Sequence, residues 1–375
     1  MQEEREEEMT DINAYPIKPQ KIDEEIEEVE VKEELAIQTI GLVKYFGRGY
    51  NLVKAVDGIN LEVKEGEVHG YLGPNGAGKT TSMLMIAGTI RPTAGKGYIF
   101  GKPIGTPAAN KQLGVAIANP KFWKTMTAYK YLVYMGQLHG LEKTLSKERA
   151  KEFLHILEMT QHGHRLPVAF STGMKAKLAV AQALMHHPRL AILDESTAGL
   201  DPESRFKLVN TIKELANILG TSIFVSGHIL TEIEKLVSRV TIIVKGKIGL
   251  QGITLREMRK EFSTGQFSLE CSNAEQVMQD LFNMGVTTQI FMDHNNVIIF
   301  QSEFIDSVYA WLPEILKRNG ATLQQFGPLE VTLEEVFINV ISKRYGSDFL
   351  YEDKILEEYQ DVRKGIFGRL SRRSK

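Results

Sequence analysis

The stretch Gly73-Pro74-Asn75-Gly76-Ala77-Gly78-Lys79-Thr80-Thr81 constrains this chain more than any other. A strand-like run ending in "VHGYLG" precedes it, and a helix-like run from Thr80 to Thr89 follows. Glycines at this spacing let a backbone wrap phosphate oxygens with its N–H groups turned inward. Lys79 adds a positive charge toward the β- and γ-phosphates, and the Thr80 hydroxyl is the expected Mg²⁺ ligand. A second glycine cluster, Gly95-Lys96-Gly97, leads into the strand-like "YIFG" instead of a helix, so it reads as a turn.

The run "RLAILDES" supplies a partner for the loop. Four apolar residues make a buried strand and Asp194 stands at its end, where a carboxylate holds Mg²⁺ through water. Glu195, the next residue, is placed to accept a proton from an attacking water. Upstream, "FSTGMKAKL" opens a helix on Ser171, Thr172 and Gly173. Bared N–H groups and a hydroxyl there suit an anion; a plain Ser/Thr cap is the competing reading.

Helix-like stretches at 80–89, 128–139, 146–159, 174–186, 203–219 and 230–237 alternate with short buried strands at 190–193, 222–226 and 240–245. Such alternation means an α/β domain with a largely parallel sheet, here over residues 37–252. Residues 253–345 follow another order, strand, helix, hairpin, helix, strand, with Asn295-Asn296 turning the hairpin. That order is ferredoxin-like and predicts a small α+β accessory domain.

Charge divides the chain further. Residues 1–35 hold 14 acidic and 4 basic side chains, while the remainder holds 33 and 41. Residues 1–36 read as an acidic disordered tail, too charged to build a core. Residues 346–375 read as a basic tail, either solvated or lying on anionic lipid or a partner through Ile366, Phe367 and Leu370. The N-terminus does not read as a secretory signal, and no apolar run reaches the roughly 18 residues of a membrane span. One cysteine, Cys271, excludes an internal disulfide and gives no cysteine-based metal site. "HGH" at 162–164 reads as loop.

Taken in order, these motifs make residues 37–252 resemble the ATP-binding subunit of an ABC transporter. "GPNGAGKTT" is similar to that family's Walker A, "FSTGMKAKL" to its signature motif, "LAILDE" to Walker B, "STAGLDP" to the D-loop and "FVSGHILTEIEKL" to the H-loop. The resemblance implies a P-loop fold with a helical subdomain, with ATP and Mg²⁺ as ligands. It implies ATP contacts from Gly73 through Thr81, Mg²⁺ held by Thr80 and Asp194, and catalytic roles for Glu195 and His228. It also implies two subunits head to tail, in which Ser171, Gly173 and Asp201 serve nucleotide held by the other one. A second anion site is redundant within one monomer and useful across such a dimer. An aromatic stacks on adenine in this family; Phe46 stands there, with Tyr45 and Tyr50 as competitors.

The resemblance implies a transmembrane permease as partner, a second ATP-binding subunit, no nucleic acid, and a cytoplasmic position against the inner face of the cell membrane, in an exporter. Phe122 and Trp123 fall where the permease docks, or belong to the core. At the Q-loop position Ala118 replaces Gln or Glu, with Asn119 beside it. An alanine ligates nothing, so a metal contact or the coupling to the permease is altered. Ala118 keeps open a catalytically weak partner in a heterodimer. A soluble ABC-type ATPase is the other alternative; such proteins usually carry two ATP domains or long coiled coils.

Overall fold

The structure, a computed structural model, describes residues 30–345 apart from His228, Ser263, Thr264, Val286, Thr288, His294, Glu303, Phe304 and Glu330. The expected basic tail and most of the acidic one therefore lie outside the described residues.

The chain enters through an antiparallel sheet. Strands β1 (Leu35–Phe46), β2 (Val53–Lys64), β4 (Ala94–Ile99) and β5 (Lys102–Pro103) lie in the order β2-β1-β4-β5. Leu35 and Ala36 are already buried in β1, so the ordered domain starts two residues before the expected boundary. The acidic run ahead of them hides that start. Gly95-Lys96-Gly97 is not a turn but part of β4, with Lys96 and Gly97 paired to Ile40 and Thr39. A Cβ at Gly95 would lie 2.1 Å from the Gly41 carbonyl oxygen, and both glycines have positive φ. The two glycines make a close approach at a bulge that side chains would forbid.

The central sheet has the order β10-β9-β3-β8-β7-β6. Its strands are β3 (Val68–Leu72), β6 (Leu113–Ala116), β7 (Leu190–Asp194), β8 (Ser222–Ser226), β9 (Arg239–Val244) and β10 (Lys247–Thr254), all parallel except the edge strand β10. Every residue of β3, β7 and β8 is buried. Strands covered on both faces read as continuous apolar runs, which is why the sequence shows them. Around the sheet stand α1 (Lys79–Ile86), α2 (Pro107–Asn110), α6 (Pro202–Leu219) and α7 (Leu230–Leu236). Helices α3 (Ala128–Leu138), α4 (Lys143–Ile156) and α5 (Thr172–Leu184) form a helical layer that buries Leu132, Phe153, Leu178 and Leu184 in one core.

Past β10 come α8 (Leu255–Glu261), β11 (Gln266–Cys271), α9 (Ala274–Asn283), β12 (Gln289–Met292), β13 (Ile298–Gln301), α10 (Ile305–Arg318), β14 (Leu323–Pro328) and α11 (Leu333–Tyr345). The four strands pair antiparallel in the order β12-β13-β11-β14, over a core of Leu269, Val277, Leu281, Phe300 and Leu312. The Asp293 carboxylate turns the hairpin by accepting the N–H groups of Asn295 (2.8 Å) and Val297 (2.9 Å). Residues 253–345 are nevertheless not one packing unit. Met258 of α8 and Leu333, Val336, Phe337 and Ile341 of α11 are buried in the core of the ATP-binding part, together with Leu230, Ile233 and Leu236 of α7. Arg259 of α8 also pairs with Glu234 of α7 at 3.1 Å. Strand and helix order in the sequence carries no record of which core a helix joins.

Two imidazoles tie the ends of the helical layer together. His139, at the C-cap of α3, stacks on His186 just beyond α5, with ring centroids 3.7 Å apart. The His186 Nε2–H donates to the Leu113 carbonyl at 3.2 Å, and the buried Nδ1 has no hydrogen-bond partner among the described residues. Burial, and then the proximity of His139, push His186 down to about 4. The unfolded chain takes up that proton nearer pH 6.5, so this contribution to stability is whole above pH 6.5 and is lost as pH falls toward 4. Wild type should lose about 2 kcal/mol from this group between pH 7 and pH 5. His186→Gln should remove that part of the decline in urea unfolding at the two pH values.

Candidate functional site

Both carboxylates and the glycine loop leave the sheet at the carboxyl end of its parallel strands. Strand β8 lies between β3 and β7, and its Ser226 is opposite both Tyr71 of β3 and Asp194 of β7. The loop that starts at Gly73 and the pair Asp194-Glu195 therefore emerge side by side, two strand spacings or roughly 10 Å apart. The carboxyl ends of parallel strands are the usual ligand crevice of open α/β sheets.

The loop's shape is enforced by its neighbours. A Cβ at Gly73 would lie 2.3 Å from the Ile243 carbonyl oxygen of β9, and one at Gly78 would lie 2.4 Å from the Ala55 carbonyl oxygen of β2. Gly78 also has φ 104°, a backbone state that L side chains rarely adopt. Within the loop, the Ala77 N–H donates to the Pro74 carbonyl (3.1 Å), and the Gly246 N–H donates to the Ala77 carbonyl (2.9 Å). A Cβ at Gly76, with φ 75°, would meet open space, and Asn75 is exposed.

Lys79 is buried, and its Nζ donates to the carbonyls of Gly73 (2.6 Å) and Pro74 (3.1 Å). The Tyr71 hydroxyl donates to Ser82 Oγ at 3.2 Å, and Ser82 Oγ donates to the Gly78 carbonyl at 2.9 Å. This chain of bonds locks α1 to β3; full burial raises the Tyr71 phenol far above its ordinary range. Thr80 is exposed and Thr81 half-buried in the first turn of α1, which holds no acidic residue. Its positive end faces the loop without a competing carboxylate.

Asp194 is 1 % exposed. Its Oδ1 accepts from Ser226 Oγ at 2.5 Å, while Oδ2 has no hydrogen-bond partner among the described residues. A buried carboxylate oxygen without a donor costs roughly 1–3 kcal/mol or more, a deficit that a hard cation or its water would remove. The under-bonded Asp194 therefore fits Mg²⁺, and the exposed Thr80 hydroxyl could supply a second oxygen donor. Glu195 is half-buried and has φ 46°. That left-handed state costs a glutamate roughly 1–2 kcal/mol. Ser226 Oγ accepts the Glu195 N–H at 3.1 Å and so holds the bend. Sequence reading missed Ser226, although it ends the strand beside the one that carries the carboxylates.

Ser171 is the N-cap of α5 and Gly173 lies in its first turn. Ser171 caps the helix, its Oγ accepting the Met174 N–H at 3.2 Å. A Cβ at Gly173 would lie 2.5 Å from Leu200 Cδ2, and one at Gly199 would lie 2.7 Å from Thr172 Cγ2, so the start of α5 and the 196–201 turn lie against each other. The Asp201 side chain caps α6 by accepting the Ser204 N–H at 3.0 Å; that bond holds its carboxyl below the usual range. Arg205 links the same turn to α7, donating to the Leu200 carbonyl (2.7 Å) and to Glu232 (2.8 Å). His228 lies outside the described residues.

Phe46 ends β1 with an exposed ring opposite Val53, two residues along β2 from Ala55. Of its competitors, Tyr45 is held by Asp57, to which its hydroxyl donates at 2.7 Å, while Tyr50 is wholly exposed. That bond, with burial second, pushes the Tyr45 phenol up to about 12. Ala118 follows β6 half-buried, and Asn119 has φ 51°. Phe122 is half-buried against Tyr131, while Trp123 stays 46 % exposed beside Tyr131 and Tyr134.

Comparison with known proteins agrees with this geometry. The ABC transporter family matches residues 56–198. The bacitracin transport ATP-binding protein BcrA of Bacillus licheniformis is 33% identical over 314 residues, covering 81% of this chain and 97% of that protein. The daunorubicin/doxorubicin resistance ATP-binding protein DrrA of Streptomyces peucetius is 33% identical over 242 residues, covering 64% and 72%. Among solved structures, a dimeric ATP-binding cassette in a post-hydrolysis state bound to ADP and Pi shares the fold, with a TM-score of 0.55 and 22% identity over 59% of this chain and 99% of that one.

Gly78→Ala should weaken nucleotide binding by at least tenfold, since the new methyl cannot coexist with the Ala55 carbonyl. Titration with a fluorescent ATP analogue reads the loss, and far-ultraviolet circular dichroism of the free protein checks that the sheet persists.

Proposed function

We propose a transport cycle for this chain, which belongs to the ATP-binding family of ABC transporters. It is an ATPase of a transporter, and it binds ATP with Mg²⁺. The observation that carries the reading is the buried, under-bonded Asp194 with the strained Glu195 next to it, at the end of the sheet where the glycine loop emerges.

In the proposed cycle the amides of residues 73–81 and Lys79 hold the phosphates, and Phe46 stacks on the adenine. Bound Mg²⁺ would neutralise charge on the β- and γ-phosphates; Thr80 and Asp194 hold it. The Glu195 carboxylate takes a proton from water as the water oxygen bonds to the γ-phosphorus and the bond to ADP breaks. His228 orients that water. Ser171, Gly173 and Asp201 serve the nucleotide of a second subunit, identical or homologous. In support, the start of α5 packs on the 196–201 turn that ends in Asp201, and the cassette of the same fold is a dimer.

The second proposed partner is a membrane permease. Among the described residues no helix is long and apolar enough to cross a membrane. The exposed Trp123 and Tyr134 would serve as an aromatic anchor for a permease segment, and the proposed position of the chain is the inner face of the cell membrane. Export is the proposed direction, because relatives are named for bacitracin transport and for drug resistance. Ala118 supports a second reading, a slow subunit paired with a faster homologue. Single-turnover hydrolysis by the isolated chain tells the two apart.

Glu195→Gln should keep ATP binding and lower kcat by at least about 100-fold; undiminished turnover removes Glu195 as the base. Trp123→Ala should leave ATP affinity unchanged and weaken permease capture from solubilised membranes by about 30-fold, the size of a 2 kcal/mol anchor.

A further inference from the structure

A cavity of about 450 Å³ opens in the helical layer, between the first turn of α3, the second half of α4 and the turn at 160–164. It is separate from the glycine loop and the carboxylates, and no role described above uses it. Its lining combines two kinds of surface. Leu154, which is buried, and the half-buried Tyr129 supply apolar wall. Lys130, Lys151 and His164, all exposed, stand at its rim, and no carboxylate lines the cavity.

Gly163 opens the floor. A Cβ there would lie 3.0 Å from Leu154 Cδ1, so any larger residue would push into the space. Neither Lys130 nor Lys151 forms an ion pair among the described residues, although Lys177 nearby finds Glu158 at 3.6 Å. Two lysines at the rim of one cleft, with no carboxylate in its lining, leave a positive field that draws a counter-ion.

The backbone amides of α3 do not serve this ligand. The Ala128, Tyr129 and Lys130 N–H groups are taken by the Arg165 carbonyl, the Gly163 carbonyl and the Thr127 hydroxyl. Recognition falls to side chains, in a volume that suits a small molecule rather than a bare ion.

We propose that this cavity binds a small organic anion, with its carboxylate or phosphoryl group on Lys130 and Lys151 and its apolar body on Leu154 and Tyr129. The ligand bridges α3, α4 and the turn that leads into Ser171, seven residues after His164.

Phenyl phosphate is a suitable probe, with inorganic phosphate as the comparison lacking an apolar body. The full chain is first saturated with ADP and Mg²⁺, so that the glycine loop is filled. Methyl-labelled leucine spectra then report Leu154. The expected result is a saturable shift of the Leu154 methyls, at least tenfold tighter for phenyl phosphate than for phosphate and at least tenfold weaker in K130E/K151E. Lys151→Met, which keeps the stem and removes the charge, gives an intermediate loss and guards against misfolding of the double variant. Absence of a Leu154 shift, or a shift that survives loss of both charges, overturns the proposal.

Discussion

One hydroxyl carries much of the site. Ser226 donates to Asp194 Oδ1 and accepts the Glu195 N–H, so the buried carboxylate and the backbone of the adjacent glutamate hang on one atom. Ser226 can do this because it ends β8, and β8 runs between the strand that leads to the glycine loop and the strand that leads to the carboxylates. Slippage of that parallel register by one residue would turn Ser226 and Asp194 to the wrong faces of the sheet. The full burial of β3, β7 and β8 makes slippage expensive and keeps the three loop starts aligned.

A second constraint comes from close backbone approaches. Gly73 lies against β9 of the central sheet, and Gly78 against β2 of the antiparallel sheet. The phosphate loop is thus pressed between two sheets rather than standing free. The same contact brings β2, and through its pairing the exposed ring of Phe46, to the side of the loop. Preorganisation of this kind lowers the entropy lost when phosphates are bound.

The helices beyond the central sheet join the site to the rest of the chain. α7 starts two residues after His228, packs with α11, and is bonded through Glu232 to Arg205 and through Glu234 to Arg259. The helices that precede and follow the small antiparallel sheet in sequence, α8 and α11, therefore pack on the ATP-binding core. Sequence order alone suggested a separate unit at 253–345. Its amphipathic helices show that they bury one face, but nothing in their spacing says against what.

The sequence by itself determined the phosphate loop, the carboxylate pair, the signature start and the alternating order of the α/β core. Each is local: a glycine spacing, an apolar run with an acidic end, a cap followed by a helical period. The tertiary structure decided what depends on residues far apart in the chain. Ser226 reaches Asp194 across 32 positions. The Gly95 to Gly41 approach turned an expected turn into strand, and the Tyr45 hydroxyl was bonded to Asp57. α11 was drawn into the core of the first domain, and His139 was set on His186. These follow from packing and hydrogen-bond satisfaction, which couple residues by distance in space and leave no periodic mark on a sequence.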